Sequence, residues 1–111
     1  ERAYHELMSQ ATIASIKSAS VVVVNPTHLA CALRYDGAGE EREGAPVVIA
    51  SGEGELAAQI VRAAQAWGVP VVRDVPLARA LIELEVGDAI PEALYQAVAE
   101  ILRDLSEEET R

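Results

Sequence analysis

The sequence is poor in aromatic residues, in cysteine and in positive charge. It contains no Phe, one Trp and one Cys, so its core must be aliphatic, and an internal disulfide or a multi-cysteine metal site is excluded. Lys and Arg number 9 against 18 Asp and Glu, and the formal charge of −9 makes nucleic-acid phosphates and anionic lipid surfaces poor partners. No apolar run approaches the ~20 residues of a membrane-spanning helix, and no signal peptide is visible.

The hydrophobic pattern predicts a single α/β domain, with a small mixed β-sheet of about four strands surrounded by about four helices. Apolar runs predict strands at residues 21–24, 29–35, 46–50 and 69–73. Helical spacing predicts helices at residues 2–16, from a turn at 51–54 to about 67, at 76–84 and from 91 to 105. The first two strands would form a hairpin, and the strand–helix–strand order from residue 47 to residue 73 implies a right-handed parallel crossover.

The chain is organised around residues 21–28, where four valines lead directly into Asn25, Pro26, Thr27 and His28. An asparagine followed by most residues deamidates, because the next backbone nitrogen attacks the side-chain carbonyl. Pro26 has no N–H, so that route is closed. The remaining cyclisation sends the Asn25 amide nitrogen onto the backbone carbonyl of Asn25 itself and breaks the chain before Pro26.

Two neighbours could assist this reaction. His28 is a candidate proton carrier, because histidine changes charge near neutral pH. Thr27 could orient the turn or donate a hydrogen bond to the carbonyl oxygen. Asn-Pro is also a common turn opener, so the residues alone leave open both a self-cleaving turn and an ordinary turn with a surface histidine.

Three other chemistries find less support. Residues 51–54 lie between a strand and a helix, as phosphate sites do, but neighbouring glutamates would repel phosphate, and no Gly-x-Gly-x-x-Gly or Gly-Lys-Ser pattern occurs. Cys31 and His28 are three residues apart on a strand and would point to opposite faces, so we assign Cys31 to the core. His28 and His5 lack companions at metal-ligand spacing. We therefore predict no cofactor and no metal.

Five segments are distinctive, VVVNPTHLACALRYD (22–36), APVV (45–48), GVPVV (68–72), PLARAL (76–81) and IPEALYQAVAEIL (90–102). In register, they resemble the FlhB/YscU family of type III export-apparatus switch proteins. The resemblance covers about residues 5–105, and it departs at Ser51-Gly52, where the family often has Lys-Gly, and in the longer acidic loop at 37–44.

The resemblance implies a cytoplasmic domain of a longer protein whose N-terminal part carries transmembrane helices, at the cytoplasmic face of the bacterial inner membrane. It divides the chain into a linker helix at residues 1–18, a switch domain at 19–105 and a flexible tail at 106–111. In this family the domain cleaves itself, in a single-turnover reaction, between the residues that correspond to Asn25 and Pro26. The pieces stay associated, and cleavage is tied to a switch in exported substrates. The alternative is a non-cleaving structural interaction module of the export gate.

The resemblance also implies an apolar substrate-docking patch near the third strand and the last helix. It maps onto Ala45, Pro46, Ala99 and Leu102, for which core or edge packing is the other interpretation. The implied partners are exported proteins, other components of the export apparatus and the cleaved fragment itself. Nucleic acid is not among them, and contact with the membrane would come only through the N-terminal region. These motifs do not separate flagellar systems from injectisomes.

Overall fold

The computed structural model describes residues 10–26, 28–36 and 44–109. It confirms the α/β fold class, with four strands in one sheet and helices on both faces. The helices are α1 (residues 10–15), α2 (Gly54–Ala66), α3 (Val75–Leu81) and α4 (Tyr95–Glu109), with short 3-10 helices at Ile16–Ser18 and Glu92–Leu94. The strands are β1 (Val21–Asn25), β2 (Leu29–Arg34), β3 (Val47–Glu53) and β4 (Val71–Arg73).

The sheet is mixed, and β1 lies inside it. The strand order is β3-β2-β1-β4. β1 pairs antiparallel with β2 and parallel with β4, and β2 pairs antiparallel with β3. β3 and β4 therefore run in the same direction, as the sequence predicts, but they lie at opposite edges with the hairpin between them. A cut after β1 would leave an internal strand on a separate piece of chain.

The unbroken run of valines in β1 reflects burial on both faces, since a strand covered on both sides has no polar positions to alternate with. Val21 to Val24 are each at most 7% exposed. The α2-side core contains Ile16, Val22, Val24, Ala30, Ala32, Ala50, Ala57, Ile60, Ala64 and Val69. The α3/α4-side core contains Val21, Val23, Cys31, Leu33, Val48, Leu77, Ala78, Leu81, Ile90 and Val98.

The predicted turn at 51–54 is wrong for residues 51–53, which belong to β3. These residues stay in the strand because each of them pairs with β2, ending at the pair Glu53 and Leu29. The chain turns at Gly54 alone, which has a positive φ of 58°. This extension brings the end of β3 level with the Asn25 end of β1.

The later helices differ from the predicted ones at their ends. α3 begins at Val75, because the Asp74 side chain caps it by accepting a hydrogen bond from the Leu77 N–H (3.1 Å), and it ends at Leu81 rather than at 84. α4 continues to Glu109, so residues 106–109, which the sequence assigns to a flexible tail, extend this helix. Residues 110 and 111 lie outside the described part of the chain.

The described part of the predicted linker, residues 10–18, is helical, and it is attached to the domain. Ile16 is fully buried in the α2-side core, with Ile13 packed against it. Residues 1–9 of the linker lie outside the described residues. Within the described ranges, no helix combines the length and the hydropathy that crossing a bilayer requires.

Candidate functional site

Asn25 ends β1, and the chain reverses immediately after it. Asn25 is paired in register with Leu29, the first residue of β2, so three residues form the hairpin loop. The backbone N–H of His28 donates a hydrogen bond to the backbone carbonyl oxygen of Asn25 at 3.0 Å. The bond from residue i+3 back to residue i defines a β-turn with Pro26 in its second position, where the fixed φ of proline fits. Thr27 lies outside the described residues.

Two further backbone hydrogen bonds hold this turn against the rest of the domain. The Gly54 N–H, at the start of α2, donates to the carbonyl oxygen of His28 at 3.1 Å. The Asp74 N–H, between β4 and α3, donates to the carbonyl oxygen of Val24 at 3.1 Å. The peptide bond before Asn25 and the peptide bond after His28 are therefore anchored to the segments that begin α3 and α2.

The side chains of the turn that the structure describes are accessible. Asn25 is half-buried, whereas Pro26 and His28 are exposed. No hydrogen bond or ion pair to another described residue occupies the Asn25 amide or the His28 imidazole. The Asn25 amide can therefore rotate towards its own backbone carbonyl without breaking an existing contact within the described part of the chain.

The turn combines the features that backbone cyclisation needs. A nucleophilic amide and its target carbonyl belong to the same residue, Asn25. The His28 N–H already points at the oxygen that becomes negative when the carbonyl is attacked, which is the arrangement of an oxyanion hole. The leaving nitrogen belongs to Pro26, which has no N–H to support deamidation.

The four residues assigned to the docking patch are brought together by the structure. Ala45, Pro46, Ala99 and Leu102 line one groove of about 480 Å³ between the segment before β3 and the exposed side of α4. Pro46 is buried, Ala45 and Leu102 are half-buried, and Ala99 is exposed. These residues therefore form one continuous surface.

Other residues of this groove escaped the sequence reasoning. Tyr35 (42% exposed), Tyr95 (47% exposed) and Arg103 line it as well, together with Gly44. The signal for Tyr95 was present in the sequence, because Tyr95, Ala99 and Leu102 follow the helical spacing i, i+4, i+7. Tyr35 could not be found this way, since it reaches the groove only through the pairing of β2 with β3.

The groove and the turn lie at opposite ends of the sheet. β2 starts at the turn and ends beside Tyr35, and its 6 residues span about 20 Å. Asn25 is therefore not among the residues that line the groove. The groove and the Asn25-Pro26 turn are therefore two separate regions of one domain.

Cys31 is a core residue, as the sequence predicts. It is 1% exposed on β2, opposite Val23 of β1. Burial raises the pKa of the Cys31 thiol to about 12, so it remains protonated and unreactive at neutral pH. Among the described residues, no group of three or more His, Cys, Asp or Glu side chains could hold a metal ion.

The phosphate-site interpretation of residues 51–54 conflicts with the geometry. Residues 51–53 belong to a paired strand, and the Gly54 N–H already donates to the carbonyl oxygen of His28. Glu53 and Glu55 are both exposed at this point and add negative charge. The start of α2 supports the hairpin turn instead.

Comparisons with known proteins agree with this architecture. The profile of the FlhB HrpN YscU SpaS Family matches residues 1–105. The flagellar biosynthetic protein FlhB of Aquifex aeolicus (strain VF5) is 46% identical over 98 residues, which cover 87% of this chain and 27% of that protein. The chain thus spans about a quarter of the length of the FlhB relatives that it matches.

Two solved structures show the same fold. The EscU C-terminal domain with an Asn-to-Asp substitution matches with a TM-score of 0.78 and 34% identity, covering 89% of each chain. The cytoplasmic domain of FlhB from Shewanella putrefaciens matches with a TM-score of 0.78 and 36% identity, covering 86% of this chain and 71% of that one. From its sequence and its fold together, the chain belongs to the FlhB HrpN YscU SpaS family.

Proposed function

We propose that this chain is the self-cleaving domain of a type III export-apparatus component, and that cleavage between Asn25 and Pro26 controls which proteins are exported. The observation that carries the proposal is the 3.0 Å hydrogen bond from the His28 N–H to the Asn25 carbonyl oxygen. Membership of the FlhB HrpN YscU SpaS family supports the export role. Solved EscU C-terminal domains include variants of an asparagine and of the proline directly after it, the same pair of residue types.

The reaction needs no external reactant. The Asn25 side-chain nitrogen attacks the backbone carbonyl carbon of Asn25, and a tetrahedral intermediate forms with negative charge on the carbonyl oxygen. The bond to the Pro26 nitrogen then breaks, and the proton lost by the amide is delivered to that nitrogen. The products are residues 1–25, ending in a succinimide, and residues 26–111, beginning with a proline amine.

Each residue of the motif has a distinct role in this scheme. Asn25 is the nucleophile, and Pro26 supplies the leaving nitrogen. The His28 N–H stabilises the oxyanion, and the exposed His28 imidazole is the proton carrier. Thr27 is assigned to orient the turn or to donate a hydrogen bond to the carbonyl oxygen.

The geometry can account for a large reduction of the barrier. Holding two reacting groups in position contributes ~7–11 kcal/mol in favourable intramolecular reactions. Removing one donor from an enzyme oxyanion hole costs ~2.7–4 kcal/mol. The reacting groups share a residue in any Asn-Pro peptide, so what the folded turn adds is the fixed donor of His28 and the restricted backbone of Asn25.

The two pieces stay together after cleavage. Residues 1–25 carry β1, which pairs with β2 over five residues and with β4 over three. Four buried valines stabilise this strand by ~1.5–3 kcal/mol each. Cleavage thus frees the turn and leaves the sheet intact, so the switch acts through the region around Pro26 and His28.

The groove is the proposed docking site for exported proteins. Ala45, Pro46, Ala99 and Leu102 offer an apolar floor, and the tyrosines beside them are half-exposed. Such a surface suits a short apolar segment of a partner. The other partners we propose are components of the export apparatus, with the domain held at the cytoplasmic face of the bacterial inner membrane through an N-terminal region.

Contact at the groove can be tested by photocrosslinking in export-competent cells. A photoreactive residue is placed at Ala99, which lines the groove, or at Glu100, its exposed neighbour on α4. We expect exported proteins to be captured from position 99 and not from position 100. Equal capture from both positions would contradict docking in this groove.

Cleavage is tested by following newly made chains with intact-protein mass spectrometry. Asn25 is the only asparagine in the chain, so Asn25→Ala removes every asparagine-dependent route. We expect wild type to give pieces 1–25 and 26–111 and Asn25→Ala to remain one chain. A matched control is Gln96→Ala, which removes an exposed amide from α4 and should cleave like wild type.

The same experiment decides between the proposal and its alternative. A wild-type chain that stays full length through prolonged incubation at neutral pH would identify a non-cleaving interaction module. Cleavage of Asn25→Ala at the wild-type rate would exclude cyclisation as the mechanism. The first result would overturn the proposed function, and the second would overturn the proposed mechanism.

A further inference from the structure

Gly54 has a conformation that only glycine adopts readily, although nothing crowds it. Its φ is 58°, in the left-handed region that side chains disfavour. A Cβ atom built on Gly54 would meet no other atom within 4 Å. The requirement at this position is therefore one of backbone conformation and not of space.

This conformation determines where the Gly54 N–H points. The N–H belongs to the peptide between Glu53 and Gly54, and φ of Gly54 sets the angle between that peptide and α2. A residue with ordinary helical φ would turn the peptide by ~120° relative to the helix. The N–H would then leave the His28 carbonyl oxygen, which it contacts at 3.1 Å.

His28 is in turn held on both of its backbone groups. Its carbonyl accepts from Gly54, and its N–H donates to the carbonyl oxygen of Asn25 at 3.0 Å. The pair Leu29 and Glu53 continues the same ladder immediately beyond. With both groups engaged, His28 has little freedom to rotate its N–H away from the Asn25 carbonyl.

We propose that Gly54 is a positioning residue for the cleavage reaction. Its left-handed backbone aims its N–H at the His28 carbonyl, and this contact keeps the His28 N–H on the oxygen of Asn25 that becomes charged. The inference rests on the proposed self-cleavage and adds to it a residue distant in sequence. Gly54 touches no reacting atom, so it acts only through His28.

The test compares cleavage rates of full chains pulse-labelled during cell-free synthesis. We expect Gly54→Ala to cleave ~3- to 10-fold more slowly, as the loss of one hydrogen bond predicts. Gly54→Asn should cleave near the wild-type rate, because asparagine tolerates the left-handed region. The matched control is Gly68→Ala, since Gly68 has a φ of 73° and equally open surroundings but lies beyond the far end of α2.

Stability is measured in parallel by urea unfolding of the same substitutions in an Asn25→Ala background, which cannot cleave. We expect Gly54→Ala and Gly68→Ala to lower the unfolding midpoint similarly, whereas only Gly54→Ala slows cleavage. Equal slowing by both would show a general effect of destabilisation and would overturn the proposal. So would wild-type cleavage of Gly54→Ala, or equal slowing by Ala and Asn at Gly54.

A measurement without a substitution at Gly54 covers the case in which Gly54→Ala does not fold. In the Asn25→Ala chain, amide hydrogen exchange of Gly54 and His28 should be slow, because both N–H groups are hydrogen-bonded. Exchange as fast as that of an unstructured chain would refute the hydrogen bond from the Gly54 N–H to the His28 carbonyl oxygen. A wild-type chain that never cleaves would instead refute the proposed function and leave this contact measurable.

Discussion

After cleavage, replacing Val23 by alanine should release the β1 fragment. Val23 is fully buried and lies between Cys31 of β2 and Val72 of β4. Removing its two methyl groups costs ~2–3 kcal/mol, from lost transfer energy and the cavity that remains. In an uncut chain this lowers stability only, but in a cut chain it weakens the association of pieces 1–25 and 26–111 by ~30- to 150-fold.

Alkylation of the Cys31 thiol can be used to measure dissociation of the β1 fragment. Its thiol lies in the α3/α4-side core, which includes Val21 and Val23 of β1. Burial raises its pKa from 9.0 to about 12, so at pH 8 the reactive thiolate is about a thousandfold scarcer than in an unfolded chain. When the β1 fragment dissociates, Cys31 becomes accessible. The rate of alkylation at pH 8 therefore reports departure of the fragment.

We expect cleaved Val23→Ala protein to be alkylated much faster than cleaved wild type. The same substitution in an Asn25→Ala chain should leave Cys31 protected, because β1 remains covalently attached. Val86→Ala, at a valine that is 60% exposed, is the matched control and should have no effect. Alkylation of cleaved wild type at the rate of the unfolded chain would refute the claim that the sheet holds the pieces together.

Three further predictions concern pH, the leaving group and a close contact. Because the Cys31 pKa is raised on folding to about 12, its contribution to stability is complete below pH 9 and is lost as the pH rises towards 12. The free energy of unfolding should fall by up to ~1.4 kcal/mol per pH unit there, and equal slopes for wild type and Cys31→Ala would contradict this. Pro26→Ala restores a backbone N–H and should slow cleavage or divert it to deamidation, seen by mass spectrometry, and unchanged cleavage would contradict the leaving-group argument. Gly52→Ala places a Cβ atom 2.6 Å from the Leu56 Cγ and should cost ~1–3 kcal/mol in urea unfolding, whereas Gly44→Ala, with no atom within 4 Å, should cost far less.

The sequence was sufficient for the elements with strong local signals. The valine run, the Asn-Pro stop and the apolar stripe of α2 each predict their element correctly, because burial on one or both faces dictates the residue types. The strand order was not predictable in the same way. It depends on β1 being covered by both β2 and β4, and β4 is distant from β1 in sequence.

The ends of some strands and helices were also not predictable from the local sequence. Ser51, Gly52 and Glu53 have turn-like composition but form strand, because β2 offers hydrogen bonds that local propensity does not contain. The start of α3 depends on a single cap by Asp74. Tertiary pairing and capping decided these positions.

The candidate site was only partly predictable for a similar reason. Asn25 and Pro26 were accessible to chemical reasoning, because the missing N–H of proline is a property of the residue itself. The hydrogen bonds made by the His28 N–H and by the Gly54 N–H were not predictable from the sequence, since almost any residue type can make a backbone hydrogen bond. The glycine at position 54 was the one indication of this contact in the sequence. Glycine, however, occurs at strand–helix junctions whether or not its N–H donates a hydrogen bond to a neighbouring turn.

The most direct test of self-cleavage is the mass of the N-terminal piece at the earliest time after its release. Cyclisation of Asn25 leaves a succinimide, so we predict a piece 1–25 that is lighter by one water molecule than the hydrolysed peptide and converts to it with time. Addition of protease inhibitors should change neither its mass nor its rate of appearance. A piece that carries the full hydrolysed mass from the start, or a chain that stays intact, would contradict cleavage by cyclisation of Asn25.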